Sequence, residues 1–296
     1  MKDTLQRFLF EQANVRGELV QLEDSWRAVL ERHDYPEPVR QILGQALVAA
    51  TLLAATMKFE GSITLQVRGD GPISLLIADC SPVHRAGEDQ PGYHLRGMAS
   101  WQGEVPAGDL ATRFGSGQLA ITIDPGKGRQ RYQGIVALDG DSLAEAIDDY
   151  LDRSEQLPTR MWLAVDGAQA AGLLLQRLPG SGSDEDWQRL AMLASTITAG
   201  ELLSLPGEEV LHRLFHEEDR RQFDAQPVSF HCQCSRERLA NALRSLGHGE
   251  VMGIIAEQGQ VDASCQFCNQ AYIFDAVDVE QIFAVDLPVQ GSDQLH

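Results

Sequence analysis

Four cysteines near the C-terminus constrain the fold of this chain more than any other feature of its sequence. Cys232 and Cys234 form one tight pair and Cys265 and Cys268 form a second, whereas Cys80 stands alone. Zinc takes four soft thiolate ligands in a tetrahedron with Zn–S distances of about 2.3 Å, and two short-spaced pairs can supply them. The pattern therefore predicts that these four cysteines form a zinc site.

The segment that contains the two pairs is too small to depend on an apolar core alone. From Pro227 to Leu287 it has roughly 60 residues, fewer than the ~70–80 at which a core by itself suffices. Structural zinc contributes on the order of 10–16 kcal/mol of folding free energy in finger peptides. We therefore expect this segment to unfold when the metal is lost.

The same four sulfurs can respond to oxidants. A zinc-bound sulfur is a thiolate that a strong oxidant can attack, and oxidation of one pair leaves the metal with two ligands. Short loops favour the disulfides Cys232–Cys234 and Cys265–Cys268, although the four thiols permit three connectivities. A C-x-C disulfide is strained, and strained disulfides are the labile, regulatory kind. His231, beside Cys232, is a further candidate ligand that four cysteines make unnecessary.

The acidic balance of the chain excludes several partners. With 24 basic and 43 acidic residues, the formal net charge is −19. Nucleic acids and anionic membranes both require clustered Lys and Arg, so we expect neither.

The sequence has neither the ~18 uninterrupted apolar residues of a membrane helix nor a signal peptide, which predicts a cytoplasmic location. Gly126-Lys127-Gly128 lacks the Ser or Thr that follows Lys in a phosphate loop, so no nucleotide is expected.

Changes in composition divide the chain into four parts. Pro179 to Ser183 is rich in Pro, Gly and Ser and marks a boundary. We expect a core domain over 1–180, a helical linker over 181–226, a zinc-binding domain over 227–287 and a disordered tail over 288–296. Gly200 and Pro206 break the linker into short helices. Such helices are marginal in water, so they should pack on the core through their leucines.

The core domain has the pattern of an α+β fold around a mixed or largely antiparallel sheet. Its apolar runs alternate with turns rich in Gly, Pro and Asp. The sequence predicts helices over 18–34, 39–58 and 141–154, and strands over Ile63–Arg68, Ile73–Asp79, Gln118–Asp124, Arg131–Leu138 and Arg160–Asp166. In the C-terminal segment, Ser235 is placed to cap a helix over Arg236–Leu246, and Tyr272–Phe274 has the pattern of a strand.

Strings of residues around the cysteines and in the core resemble a known family. The signature comprises Phe230–Arg238, Gly247, Glu250, Cys265–Cys268 and Tyr272–Phe274. Further similar strings are Asn14–Gly17, Leu119–Asp124, Tyr132–Val136 and Ser154–Thr159. On these residues the chain resembles the 33 kDa redox-regulated heat-shock chaperonins (heat-shock protein 33), and the resemblance covers nearly the whole chain.

The resemblance implies a function as well as a fold. It implies an ATP-independent holding chaperone, not an enzyme, that prevents aggregation of unfolding and oxidatively damaged proteins during oxidative stress. It implies a core, a helical linker and a zinc redox-switch domain. It also implies inactivity while the protein is reduced and holds one zinc ion. Oxidation would then release the zinc, unfold the switch and the linker, and promote homodimerisation.

Two other functions remain open from the residues alone. A thiol–disulfide oxidoreductase would use Cys265 and Cys268, but that motif needs a strand-to-helix turn, and here the pair precedes a strand-like run. A constitutive zinc-stabilised binding protein would have no redox switch. Cys80 ends an apolar run, and we expect it to be a small buried hydrophobe.

Overall fold

The computed structural model describes residues 3–57, 61–84, 92–126, 129–138, 140–180 and 182–284. Contacts divide the chain into two compact units, an N-terminal unit that ends at His231 and a C-terminal unit that begins at Cys232. The tail expected over 288–296 lies outside the described residues.

Both units combine strands with helices. The strands of the N-terminal unit are β1 (Thr4–Phe10), β2 (Val15–Leu22), β3 (Ser62–Arg68), β4 (Ile73–Val83), β5 (Gly92–Trp101), β6 (Gln118–Asp124), β7 (Tyr132–Ala137), β8 (Thr159–Val165), β9 (Ala170–Arg177), β10 (Arg221–Gln222) and β11 (Gln226–Phe230). Its helices are α1 (Asp24–Leu30), α2 (Glu37–Thr56), α3 (Leu110–Phe114), α4 (Leu143–Ser154), α5 (Asp184–Ala194), α6 (Ala199–Ser204) and α7 (Gly207–Phe215). The C-terminal unit contains α8 (Arg236–Leu246), α9 (His248–Gln258), β12 (Val261–Ser264), β13 (Ala271–Phe274) and α10 (Ala276–Ala284).

One mixed sheet organises the N-terminal unit. Its strands follow the order β7-β6-β3-β4-β5-β11-β1-β2-β9-β8, and β10 pairs with β1 beside this path. Among the described pairs, β5 and β11 are parallel and the others are antiparallel. The predicted α+β class with a mixed sheet is therefore confirmed.

Helix α2 forms the centre of the core on one face of this sheet. Its apolar residues from Ala46 to Ala50 are fully buried. By length and composition α2 could cross a membrane, but 78% of its apolar window is buried inside the protein, as in a core helix. Gly172 of β9 allows close approach, because a Cβ there would lie 2.4 Å from Val48 Cγ1. The apolar sequence of α2 therefore reflects burial against the sheet.

The structure corrects the predicted helix over 18–34. Residues 18–22 belong to β2, and the helix α1 begins only at Asp24. Val20 and Leu22 contact the core around α2, whereas Val15 and Leu19 contact the opposite apolar cluster. A strand that is buried on both faces has a nearly continuous apolar sequence, which hides the alternation that identifies a strand.

Strand β11 lies in the large sheet, although the sequence predicts a zinc-binding domain from residue 227 onward. Val228 pairs with Tyr93 of β5, and Leu5 of β1 pairs with Gln226. Val228 is buried in the core around α2. The strand ends one residue before the compact unit that holds the four cysteines.

The helices α5, α6 and α7, which we call the linker helices, pack on the sheet face opposite α2. They cover an apolar cluster that includes Phe8 and Phe10 of β1. The Phe215 ring lies 5.9 Å from the Phe8 ring and 5.1 Å from the Phe10 ring, measured between centroids. Gln21 Nε2 also donates hydrogen bonds to the carbonyls at 202 and 205, at 3.2 and 2.8 Å. The predicted packing of the linker on the core sheet is confirmed.

Removal of the Phe215 ring should loosen the linker helices. Phe215 is fully buried, so Phe215→Ala is expected to destabilise this packing by about 3–5 kcal/mol. Met192→Ala is the matched control, since Met192 is 69% exposed on α5 and such changes stay within about 0.5 kcal/mol. Urea denaturation and amide hydrogen exchange of α5–α7 measure the effect. Equal protection of these amides in the two variants would contradict this packing.

Candidate metal centre

The C-terminal unit has a small apolar core. Helices α8, α9 and α10 pack with the hairpin β12–β13 around a few buried side chains. These are Leu243, Val251, Val261, Phe274, Val279 and Ile282. A core of this size leaves the unit dependent on other links between its elements.

A tight turn between β12 and β13 presents the second cysteine pair. The Cys265 amide donates to the carbonyl of Gln270 at 3.0 Å, and the Asn269 amide donates to the carbonyl of Cys265 at 2.8 Å. Asn269 has a φ of +57°, a left-handed conformation that asparagine adopts more readily than most residues. The backbone therefore folds back around Cys265 and Cys268, and the predicted strand Tyr272–Phe274 follows as part of β13.

The first pair lies in the irregular segment immediately before α8. Ser235 caps this helix, because its side chain accepts a hydrogen bond from the Arg238 amide at 3.2 Å. The predicted helix Arg236–Leu246 and its cap are therefore confirmed. This cap fixes where the helix begins, directly after Cys234.

The two pairs meet in space. The four Sγ atoms all lie within 4.8 Å of one another. Those of Cys232 and Cys265 are 3.7 Å apart, and those of Cys234 and Cys268 are 3.3 Å apart. A tetrahedral zinc site with Zn–S of about 2.3 Å has S–S edges of about 3.8 Å. The fold thus brings together four cysteines at distances that suit one metal ion.

The electrostatics of this cluster favour a cation among the sulfurs. Burial and the neighbouring thiols raise the pKa of Cys268 to about 12, and burial raises the pKa of Cys232. Burial also opposes ionisation of Cys234, but hydrogen bonds, foremost with Tyr272, bring its net pKa below the usual value. Four thiolates so close together repel one another, and a bound divalent cation removes that penalty. The donor set therefore fits a soft divalent metal such as zinc.

Two residues beside the cysteines belong to the strings that resemble the family, but the sequence predicted no role for them at the site. The Tyr272 hydroxyl lies 3.4 Å from Cys234 Sγ. Arg236 donates to the Ile273 carbonyl at 2.7 Å, and its guanidinium lies 4.3 Å from the centre of the Phe274 ring. Arg236 thus links the helix after the first pair to the strand after the second. No local spacing in the sequence indicates the contact of Tyr272 with Cys234, because the two residues lie 38 positions apart.

The remaining cysteine and the candidate histidine lie outside this group. Cys80 is buried in the core of the N-terminal unit, and burial raises the pKa of its thiol to about 12. Its expected role as a small buried hydrophobe is confirmed. The ring of His231 stacks on His94, with 4.3 Å between centroids. Among the described residues, the four clustered cysteines form the one group arranged to hold a metal.

Comparisons with known proteins agree with this architecture. Residues 3–275 match the family model described as Hsp33 protein. The chain is 53% identical over 294 residues to the 33 kDa chaperonin of Nitrosococcus oceani, with 98% of each chain covered. It is 48% identical over 285 residues to that of Shewanella sediminis, with 96% of each covered. A crystal structure of the 33 kDa chaperonin from Thermotoga maritima shares the fold, with a TM-score of 0.82 at 23% identity over 97% of this chain and 100% of that chain.

The metal site can be tested with Co²⁺, whose absorption reports tetrahedral thiolate coordination. The reduced chain is expected to bind a single equivalent with such a spectrum. Cys265→Ser removes one thiolate ligand and should weaken Co²⁺ binding. The loss should exceed the about 10–100-fold that follows when only a residue in contact with a metal ligand is changed. Cys80→Ala is the control and should bind as the unaltered chain does. Undiminished tetrahedral binding by Cys265→Ser would contradict the four-cysteine site.

Proposed function

The chain belongs to the Hsp33 family, and on this premise we propose that it is a redox-regulated, ATP-independent holding chaperone. Its clients are unfolding and oxidatively damaged proteins, whose aggregation it prevents. The observation that carries this proposal is the convergence of four thiol sulfurs within 4.8 Å in a unit with a small core. A cluster of this kind can both stabilise a fold and react with oxidants.

In the reduced protein, the four clustered cysteines hold one zinc ion. When bound, the ion neutralises the thiolates and cross-links the start of α8 to the β12–β13 hairpin. Arg236 and Tyr272 support the same junction through their contacts with Ile273 and Cys234. The small core alone does not hold the C-terminal unit, so its folded state depends on these links.

Oxidation removes the ligands. Peroxide or hypochlorous acid takes two electrons from each pair of thiolates and is itself reduced, and the two sulfurs of the pair bond to each other. Cys232 bonds to Cys234 and Cys265 bonds to Cys268, because these pairs close much shorter loops than any bond between the pairs. In the reduced structure the shortest Sγ distances join the two pairs instead. When the first disulfide forms, the two remaining thiolates would no longer hold a metal, and the C-terminal unit would lose its cross-link and unfold. The folded arrangement would then no longer govern which of the remaining sulfurs meet.

Unfolding then extends into the linker helices. They are only 11, 6 and 9 residues long, so they depend on the sheet for stability. The chain after them is attached to the sheet by β10, of two residues, and by β11, of five residues. Because β11 ends just before Cys232, disorder beyond that residue weakens its pairing. Release of the linker exposes the apolar cluster around Phe8 and Phe10 and its own leucines, which bind unfolded chains.

Other properties follow from the same mechanism. Stored folding free energy drives the switch, so the protein needs no nucleotide and acts without enzymatic turnover. The net charge of −19 keeps it soluble while apolar surface is exposed. The proposal also includes a homodimer as the oxidised form, which the resemblance to the family implies, and a cytoplasmic location. This charge also supports a function without nucleic-acid or membrane partners.

Holding activity should depend on oxidation. The reduced, zinc-loaded protein is expected to leave the aggregation of a thermally unfolding enzyme unchanged, whereas the protein treated with peroxide or hypochlorous acid suppresses it. Light scattering measures aggregation, and zinc release is followed with a colorimetric chelator. Cys80→Ala serves as the control and should switch normally, because Cys80 lies outside the cluster.

Two results would contradict the proposed function. Equal suppression by the reduced and oxidised forms would identify a constitutive binding protein. Catalysed reduction of insulin disulfides, lost in Cys265→Ser, would identify an oxidoreductase.

The disulfide connectivity has its own test. Peptide mapping of the oxidised protein by mass spectrometry is expected to find Cys232–Cys234 and Cys265–Cys268, with Cys80 still a free thiol. Cys232–Cys265 or Cys234–Cys268 as the main products would show that oxidation captures the folded arrangement, and would contradict unfolding before the second bond forms.

A further inference from the structure

Strand β7 forms an edge of the large sheet and lacks the usual protection of an edge. Its single described neighbour is β6, and its sequence, Tyr132–Ala137, contains no charged residue and no proline. Exposed edges normally carry charges or proline, because their free backbone groups pair readily with other chains. Ile135 is 64% exposed and Tyr132 is 48% exposed. The other edge strand, β8, carries the charged Arg160.

The register shows which backbone groups of β7 point away from the sheet. The Leu138 amide donates to the Gly117 carbonyl at 3.1 Å, and the β6–β7 register continues from this pair. Hydrogen-bonded pairs alternate along antiparallel strands, so residues 132, 134 and 136 bond to β6. Gln133, Ile135 and Ala137 therefore direct their N–H and C=O groups outward, with the spacing that an added strand requires.

A groove between β7 and α4 lies beside this edge. It has a volume of about 580 Å³ and is lined by Ile135 and Val136 on one side and by Glu145, Asp149 and Arg153 on the other. Arg153 forms an ion pair with Asp149 at 3.0 Å, which leaves the carboxylate of Glu145 as the excess charge. Side chains of an added strand would alternate between this groove and the opposite face of the sheet.

Charge decides which strand fits. We propose that the edge of β7 and the adjacent groove bind an extended segment of an unfolded client, rich in basic and apolar residues, as an added β-strand. A second copy of this chain is disfavoured there, because its own β7 strand has no basic side chain to place beside Glu145. Strand addition takes its affinity from main-chain hydrogen bonds, which any unfolded polypeptide can supply. The edge therefore tolerates many client sequences.

This inference takes its class of partner from the proposed holding function, but it does not require the redox switch. The edge belongs to the N-terminal unit and contains no cysteine. Client segments bound at β7 would be held mainly by backbone pairing, which leaves most of a client's apolar side chains uncovered, so the reduced protein still does not suppress aggregation. The surface beneath the linker helices, released by oxidation in the proposed function, would cover those apolar side chains. The two contacts can therefore be tested separately.

The test measures binding of a short synthetic peptide of alternating lysine and valine to the reduced full-length chain. Wild type should bind it and show slowed amide exchange at Gln133, Ile135 and Ala137. Ile135→Pro removes an outward N–H without loss of a bond to β6, so it should weaken binding at least about tenfold, as expected where main-chain hydrogen bonds supply the affinity. The matched control, Ile135→Thr, keeps the N–H and the strand preference and should bind within about threefold of wild type.

Two further peptides keep the test decisive even if Ile135→Pro fails to fold. An N-methylated lysine–valine peptide cannot donate to β7, and a glutamate–valine peptide is repelled by α4, so both should bind wild type at least about tenfold more weakly. Equal binding of either peptide, or slowed exchange elsewhere in place of β7, would overturn the proposal. So would a dimer in sedimentation that Ile135→Pro dissociates. Because no oxidant is used, such a result leaves redox-dependent suppression of aggregation unaffected.

Discussion

Mutual repulsion of four sulfurs in one small volume is the constraint on which the rest of this molecule depends. The fold brings Cys232, Cys234, Cys265 and Cys268 within 4.8 Å of one another, where four thiolates are tolerated only around a cation. The apolar core beneath them is small. The metal that we propose therefore supplies much of the folding free energy of the C-terminal unit. In the mechanism that we propose, oxidation of these sulfurs would therefore unfold the C-terminal unit.

The two faces of the large sheet explain how part of the chain can unfold while the rest stays folded. On one face, α2 and its buried apolar residues form a continuous core. On the other, the short linker helices cover a separate cluster centred on Phe8, Phe10 and Phe215. In the proposed switch, loss of the second layer would leave the first intact and expose apolar surface on a stable scaffold. The client strand that we propose at the edge of β7 would add a second kind of contact on that scaffold.

Local signals in the sequence predicted the parts of the structure that local chemistry determines. The cysteine spacing identified the residues that converge, and Ser235 marked the start of α8. β2 was mistaken for helix because it is buried on both faces. β11 was missed because its pairing with β1 and β5 joins residues far apart in the chain. The proximity of Cys234 to Cys268 and Tyr272 also depends on the tertiary fold, which spacing alone does not define.

Amide hydrogen exchange before and after oxidation tests the central claim most directly, namely that sulfur chemistry at the cluster releases the linker. Peptides that cover α7 and the C-terminal unit should be protected in the reduced, zinc-loaded protein and lose protection when peroxide expels the metal. Peptides from α2 should stay protected in both states, because that helix is enclosed by the sheet. Full protection of α7 in oxidised, zinc-free protein would contradict the account.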